Sequence, residues 1–236
     1  MSHELAIVMP VYNEEGAICA VLTKWVKMLD GLQIDYEIHA YNDGSKDRSS
    51  DMLHEFSSTH ARVIVHDKKN SGHGPTILQG YREQAANAPW IFQIDSDDEM
   101  GPESFSSLWE QRQNYDFLIG IRDGRLQPLA RKVISMVSRL VVNLFYGRSV
   151  WDVNSPYRLM RVEAFKQVFS LIPSNTFAPN VILSGCVAKL KLRHFEYRVP
   201  HGDRKTGEVS IKKWRLFKAS VRSFVQTIRF SFVALR

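Results

Sequence analysis

The sequence predicts an α/β fold built on a central, largely parallel sheet with helices on both faces. Three observations lead there. Short apolar runs alternate with stretches of helical periodicity from residue 5 to residue 121. Polar and glycine-rich clusters fall just after those runs, where open α/β sheets place their ligand crevice. No Pro/Gly/Ser-rich linker interrupts the order, so the alternation belongs to one unit.

The elements follow in order. Residues 5–9 are an apolar strand, and residues 15–29 a helix whose stripe is Ile18, Val21, Leu22, Trp25, Val26 and Leu29. Strands are expected at 34–41 and 62–66, with a helix at 47–56 between them. A helix at 71–86 follows a Gly-rich lead-in, and a strand at 90–94 ends in an acidic cluster. Pro102 opens a helix at a favoured first position, and residues 116–121 form a fifth strand. The helix expected at 128–146 is nearly apolar all round between Leu140 and Phe145, so it must be buried, meet a partner or touch lipid. Helices at 162–169 and 180–189 and a strand at 192–199 complete the main unit, residues 1–208.

Residues 209–236 read as a helical extension. Trp214, Phe217, Val221, Phe224, Val225, Ile228 and Phe232 recur at three- and four-residue steps, while Lys213, Arg215, Lys218, Arg222 and Arg229 take other faces. Such a helix either lies on a membrane surface or packs its apolar face on the domain.

Composition bounds the function classes. The 236 residues are 44% hydrophobic and 24% charged, enough apolar content for a sizeable core. Cys19 and Cys186 form neither a disulfide framework nor a zinc spacing, which suits a reducing compartment. The first strand follows Met1 so closely that no signal peptide is expected, and no apolar run reaches transmembrane length. The net charge of +6 is uneven: nine Lys or Arg between 204 and 236 face one acid, Glu208. With no recognised nucleic-acid module and the charge confined to the tail, an anionic membrane or a phosphorylated substrate is the better partner.

Four strand-end motifs carry the chemistry. Carboxylates in Asp95-Ser96-Asp97-Asp98 suit a hard divalent cation carrying a phosphorylated substrate, although the same stretch also reads as a solvated acidic turn. The run from Pro10 to Glu15 can line a nucleotide pocket, or be a tight turn with Asn13 capping a helix. Asp43 can accept from a base imide or a ribose hydroxyl, or close an Asx turn. Asn70-Ser71-Gly72-His73-Gly74 can bring backbone N–H groups to a ligand at a helix start, or simply connect strand to helix. Their recurrence at successive strand ends argues for one shared crevice.

Taken together, Pro10-x-Tyr12-Asn13-Glu14, Asn42-Asp43-Gly44-Ser45-x-Asp47, Asn70-x-Gly72-x-Gly74 and Asp95-x-Asp97 resemble the family 2 inverting glycosyltransferases in order and spacing. The likeness runs from residue 5 to about residue 210 and is nearest the dolichol-phosphate mannosyltransferase-like, polyprenyl-phosphate branch. Gly120-Ile121-Arg122, Arg131-Lys132, the segment from Asp152 to Arg158 and the segment from Arg204 to Ser210 are similar to further motifs of that branch. Asn42, Asp98 and Pro156-Tyr157 depart from its pattern.

The resemblance implies a GT-A-type Rossmann-like sandwich with a basic amphipathic C-terminal helix. It implies that Pro10, Tyr12, Glu14 and Asp43 hold the nucleoside of a UDP- or GDP-sugar, with Gly72 and Gly74 beside it. Asp95 and Asp97 would hold Mg²⁺ or Mn²⁺ on the donor diphosphate, with Glu99 a direct or water-mediated contact. Asp97, Arg122, Arg131 and Arg204 would carry catalysis, the arginines drawing in a polyprenyl phosphate or other lipid-linked acceptor. The arginines also read as surface residues or ion pairs. If the acceptor were a sugar hydroxyl, Asp97, Asp98 or Asp152 would serve as base. A non-catalytic nucleotide-binding protein is a further alternative, and a nucleotidyltransferase is disfavoured because no Gly-x-Gly-x-Arg loop follows the first strand. The implied place is peripheral, on the cytoplasmic face of a membrane, with a separate membrane subunit as a further partner.

Overall fold

The computed structural model describes residues 3–124, 129–202 and 213–235, with the side chains of 129–131 and 213–217 outside the description. Strand β1 (Leu5–Val11) is buried along its whole length. It pairs in parallel with β2 (Tyr36–Asn42) on one side and β4 (Trp90–Gln93) on the other, Leu5 standing opposite both Tyr36 and Trp90. Strand β3 (Val63–Asp67) adds to β2 in parallel. With β5 (Phe117–Asp123), β6 (Arg158–Arg161) and β7 (His194–Pro200), the sheet order is β3-β2-β1-β4-β6-β5-β7.

Strand β6 is the one element the periodicity does not reveal. It is four residues long and antiparallel to both β4 and β5, whereas β5 and β7 are parallel. Its sequence, Arg-Leu-Met-Arg, puts a charge at each end of a buried strand, so no apolar run marks it. Six strands therefore point one way, and the start of β6 lies at the edge where those six end.

Side-chain alternation divides the core between the two faces of the sheet. Leu5, Ile7 and Met9 face helix α1 (Ile18–Gly31), whose buried stripe is Ile18, Val21, Leu22, Trp25 and Leu29. Trp25, Phe92, Phe105 and Tyr157 stack edge-on or tilted at centroid distances of 4.8 to 6.0 Å. Helices α2 (Ser49–Thr59) and α4 (Phe105–Gln111), the latter preceded by a 3-10 turn over Pro102–Ser104, complete the first turns of the chain around the sheet. On the other face Ala6 and Val8 meet α3 (His73–Gln84), α6 (Val162–Leu171) and α7 (Pro179–Lys189).

Two helices bury only one side of their apolar surface. Helix α5 (Leu129–Tyr146) is not buried all round: Ser138, Val142 and Tyr146 face inward, while Met136, Leu140 and Leu144 face out. The wholly buried helix is α7, from Pro179 to Val187. Helix α8 (Lys213–Ser231) packs on α5 and α7, but through Ser220, Ser223, Thr227 and Phe230. Tyr146 Oη donates to the Thr227 carbonyl at 2.6 Å, and the Phe177 N–H donates to Gln226 Oε1 at 2.9 Å. Its apolar periodicity is real, yet much of that face points away from the domain.

Candidate active site

Because β1 to β4 are parallel, their C-terminal ends form one rim, and the following loops are stapled to each other. Asn13, at φ +55°, is not a helix cap: α1 begins only at Ile18, after Ala17, with no side-chain cap. Instead Asn13 Oδ1 accepts the Lys46 N–H at 2.8 Å, and the Asn13 N–H donates to Ser45 Oγ at 3.0 Å. The Glu14 N–H donates to Ser49 Oγ at 2.7 Å, and Glu15 Oε2 accepts the Arg48 N–H at 2.9 Å. Pro10 is buried and its carbonyl accepts Ser96 Oγ at 2.9 Å, tying β1 to the acidic loop. Glu14 is buried and Tyr12 half-buried beside it.

Asp43 is 3% exposed and fastens the lead-in to α3. Its Oδ1 accepts Lys68 Nζ at 2.5 Å and the Ser71 N–H at 2.8 Å, and its Oδ2 accepts the Gly72 N–H at 2.8 Å. Burial alone would raise this carboxyl; the Lys68 ammonium and the two backbone N–H bonds outweigh it and hold the group below the usual carboxylate range. The glycines expected to open backbone to a ligand have other reasons here. Gly72 sits at φ +94° and gives its N–H to Asp43. At Gly74 a Cβ would lie 2.1 Å from the Phe177 carbonyl oxygen, so close packing excludes any side chain.

The acidic loop after β4 sorts its four carboxylates. Asp95 Oδ1 accepts Gln93 Nε2 at 2.9 Å and lies 3.8 Å from His73 Nε2. Gln93 is itself fully buried, and its Oε1 accepts Tyr81 Oη at 3.0 Å and Asn180 Nδ2 at 2.8 Å. Asp97 Oδ1 accepts the Glu99 N–H at 3.2 Å. Asp98, at φ +58°, takes Lys24 Nζ at 2.6 Å, and Glu99 takes His201 Nε2 at 3.1 Å. Among the described residues no three acidic, His or Cys side chains gather as a metal set, and Glu99 of the expected trio Asp95, Asp97 and Glu99 is paired with His201 at the end of β7. Asp95 and Asp97 still fit a divalent cation, because such an ion on a diphosphate needs only one or two protein carboxylates beside phosphate and water oxygens.

Arg122, near the end of β5, takes the ion-pair form that the sequence left open. It makes two parallel 2.7 Å hydrogen bonds to Asp152, its Nε to Oδ2 and its Nη2 to Oδ1. Arg122 and Asp152 are thus an ion pair at the rim. The side chain of Arg131 and the whole of Arg204 lie outside the described residues. Sequence reasoning missed Lys68, Gln93, His201 and Arg158. Arg158 is fully buried, and its guanidinium donates to the carbonyls of Ser155 and Asn180. Burial lowers it to about 10, which leaves it a cation below the rim. Lys68 and His201 each follow directly on a strand end, which is the signal that finds them.

A parallel-sheet rim with an acid clamped at β2, two carboxylates at β4 and the Arg122–Asp152 ion pair at β5 belongs to a GT-A glycosyltransferase fold, which the structural neighbours share. The chain belongs to glycosyl transferase family 2, whose model matches residues 6–169. An undecaprenyl-phosphate 4-deoxy-4-formamido-L-arabinose transferase of Pseudomonas paraeruginosa is 30% identical over 216 residues, 90% of this chain and 61% of that protein. The protein of the same name from Edwardsiella ictaluri is 28% identical, over 86% of this chain and 62% of its own length. The chain thus spans about three fifths of these curated relatives. Among solved structures, Mycobacterium tuberculosis glucosyl-3-phosphoglycerate synthase in complex with Mn²⁺, uridine-diphosphate and phosphoglyceric acid is similar at TM-score 0.71 and 15% identity, over 99% of this chain and 80% of that one. S. aureus TarS in complex with UDP is similar at TM-score 0.60 and 17% identity, over 99% and 67%. At these identities the structural likeness speaks for the fold.

Proposed function

We propose that this chain is a metal-dependent inverting glycosyltransferase that moves a sugar from a UDP- or GDP-linked donor to a polyprenyl phosphate at the cytoplasmic surface of a membrane. The observation that carries the reading is the pair Asp95 and Asp97 on the rim that Asp43 and the Pro10–Glu14 segment share. The relatives' names support the acceptor class, and the Mn²⁺- and UDP-bound structural neighbour supports the donor and metal. Among the described residues no helix is long and apolar enough to cross a membrane, which suits peripheral attachment. In this reading residues 1–208 carry catalysis, and residues 209–236, which include α8, are an extension of it.

In this reading Tyr12, Glu14 and Asp43 line the nucleoside side of the crevice. Asp95 and Asp97 would hold Mg²⁺ or Mn²⁺, whose Lewis acidity would offset the charge of the diphosphate leaving group. Gln93 fixes Asp95 by donating to one of its oxygens. A lipid phosphate oxygen attacks C1 from the face opposite the leaving group, and the C1–O bond to the diphosphate breaks. No general base is required, since the acceptor is already an anion. Arg131 and Arg204 are the cations assigned to it, and the neutral Arg122–Asp152 pair shapes the approach by hydrogen bonding rather than net charge.

The test is a panel of UDP- and GDP-sugars with radiolabelled polyprenyl phosphate, free polyprenol and Mn²⁺. Transfer to the phosphate and none to the free alcohol is expected. Transfer to a sugar or prenyl hydroxyl, with none to polyprenyl phosphate, overturns the reading.

A further inference from the structure

The sheet has an open side at β7. That strand pairs with β5 and stands last in the strand order. The Phe117 N–H donates to the Arg193 carbonyl at 3.2 Å, and the His201 N–H donates to the Asp123 carbonyl at 3.0 Å. Odd-numbered residues of this stretch therefore turn their backbone groups toward β5, and His194, Glu196 and Arg198 turn theirs outward. Among the described residues no other strand pairs with them. An unpaired edge of this kind is a template for another strand.

The side chains say which strand fits. Glu196 and Arg198 flank Tyr197. In an antiparallel pairing of two copies centred on Tyr197, Glu196 of each copy stands opposite the partner's Arg198. Those two residue pairs also exchange backbone hydrogen bonds, because theirs are the outward groups. His194 stands opposite the partner's Pro200, which has no N–H, so the ladder ends there. Moving the centre to Glu196 sets it against the partner's Glu196, and moving the centre to Arg198 sets two arginines together. Like charges directly opposite are penalised, so the register centred on Tyr197 is the one the charges select. Both charges are available to it. The Arg198 side chain is 80% exposed and its guanidinium lies 3.7 Å from the half-exposed Asp123. Glu196 Oε2 accepts the Trp151 N–H at 2.8 Å, and no cation pairs with this carboxylate among the described residues. Tyr197 is partly exposed and stacks on Phe195 at 6.4 Å, which leaves an aromatic surface at the centre.

We propose that two copies of this chain join edge to edge through β7, with Tyr197 on the two-fold axis, so that two seven-stranded sheets become one. The axis stands normal to the joined sheet. Helices α3, α6 and α7 of both copies then share one side, and the two catalytic edges point opposite ways. His201, just past β7, holds Glu99 of the acidic loop at 3.1 Å, so the joint braces each crevice from outside. The joint does not rest on the enzymatic reading.

Sedimentation equilibrium over a concentration series tests it, with a dimer expected. Glu196→Arg and Arg198→Glu should each weaken self-association at least about tenfold, since each sets like charges opposite at two places. An equimolar mixture of the two variants should dimerise again, because every charge pair across the axis is then unlike. The double exchange in one chain should do the same. Tyr197→Cys gives a second measurement. At the centre the Cα atoms of a non-hydrogen-bonded pair lie about 4.5 Å apart, within disulfide reach. This variant should cross-link to itself under mild oxidation, whereas Arg198→Cys, which faces the partner's Glu196, should not. The unaltered chain, with Cys19 half-buried and Cys186 buried, is the blank. A monomer at every concentration, a dimer that both charge reversals leave intact, or a mixture no tighter than its parts would each overturn the joint. So would a cross-link at residue 198 in place of 197, or none at 197.

Discussion

Arg122 and Asp152 hold each other in a two-pronged pair at 2.7 Å, joining the end of β5 to the loop that leads into β6. The two side chains are 11% and 15% exposed, so their mutual neutralisation is only partly screened by water. Each is the other's compensation, and neither acts as an isolated charge at the rim.

The pair should therefore show energetic coupling. Arg122→Ala and Asp152→Ala are each expected to destabilise the chain by about 1–3 kcal/mol, with the double variant costing less than their sum. Urea unfolding of the four proteins measures the coupling. Strict additivity would mean that the contact contributes nothing.

Asp97→Asn should abolish transfer while leaving the fold intact, as it removes a ligand charge that supplies several kcal/mol in the transition state. Mn²⁺ affinity in the presence of the nucleoside diphosphate should fall with it. Undiminished transfer in EDTA would remove the metal from the mechanism.

Asp43 carries a stability consequence beyond donor binding. Asp43→Ala leaves Lys68 without its carboxylate and the Ser71 and Gly72 N–H groups without their acceptor, so a loss of roughly 2–4 kcal/mol is expected. The folded carboxyl is lowered, so its contribution is fully present above the unfolded value of about 3.9 and is lost as pH falls through the folded one. Asp43→Asn should flatten that acid limb of the stability curve. A variant whose acid unfolding parallels the unaltered chain would show that the clamp does not form in solution.

Gln93→Leu probes the support beneath Asp95. The change strips Tyr81 Oη and Asn180 Nδ2 of a shared acceptor in a fully buried setting, with an expected cost of about 2–4 kcal/mol by thermal unfolding. It should also weaken Mn²⁺ binding, because Asp95 loses the donor that orients it. Unchanged metal affinity would confine Gln93 to packing.

Much of this was legible in the sequence because β1, β3, β4 and β5 open as apolar runs while β2 and β7 alternate apolar with polar residues, and parallel pairing then puts their motifs on one rim. Strand β6 was not, since Arg158 and Arg161 interrupt its apolar signal and find their partners only in the folded chain. Periodicity located the apolar face of α8 but not its direction, which depends on the hydroxyl groups that fit against α5 and α7. Asp43 was marked by its turn, whereas its partner Lys68 lies 25 residues on and arrives through the pairing of Asn42 with Asp67.

The missing methyl group at Gly74 has a mechanical meaning. The first turn of α3 touches the backbone at Thr176 and Phe177, just ahead of α7, so closely that even one carbon would act as a wedge. Two residues earlier, the same lead-in hangs from Asp43. Three residues, Gly72 to Gly74, thus join the segment ahead of α7 to the acid that follows β2.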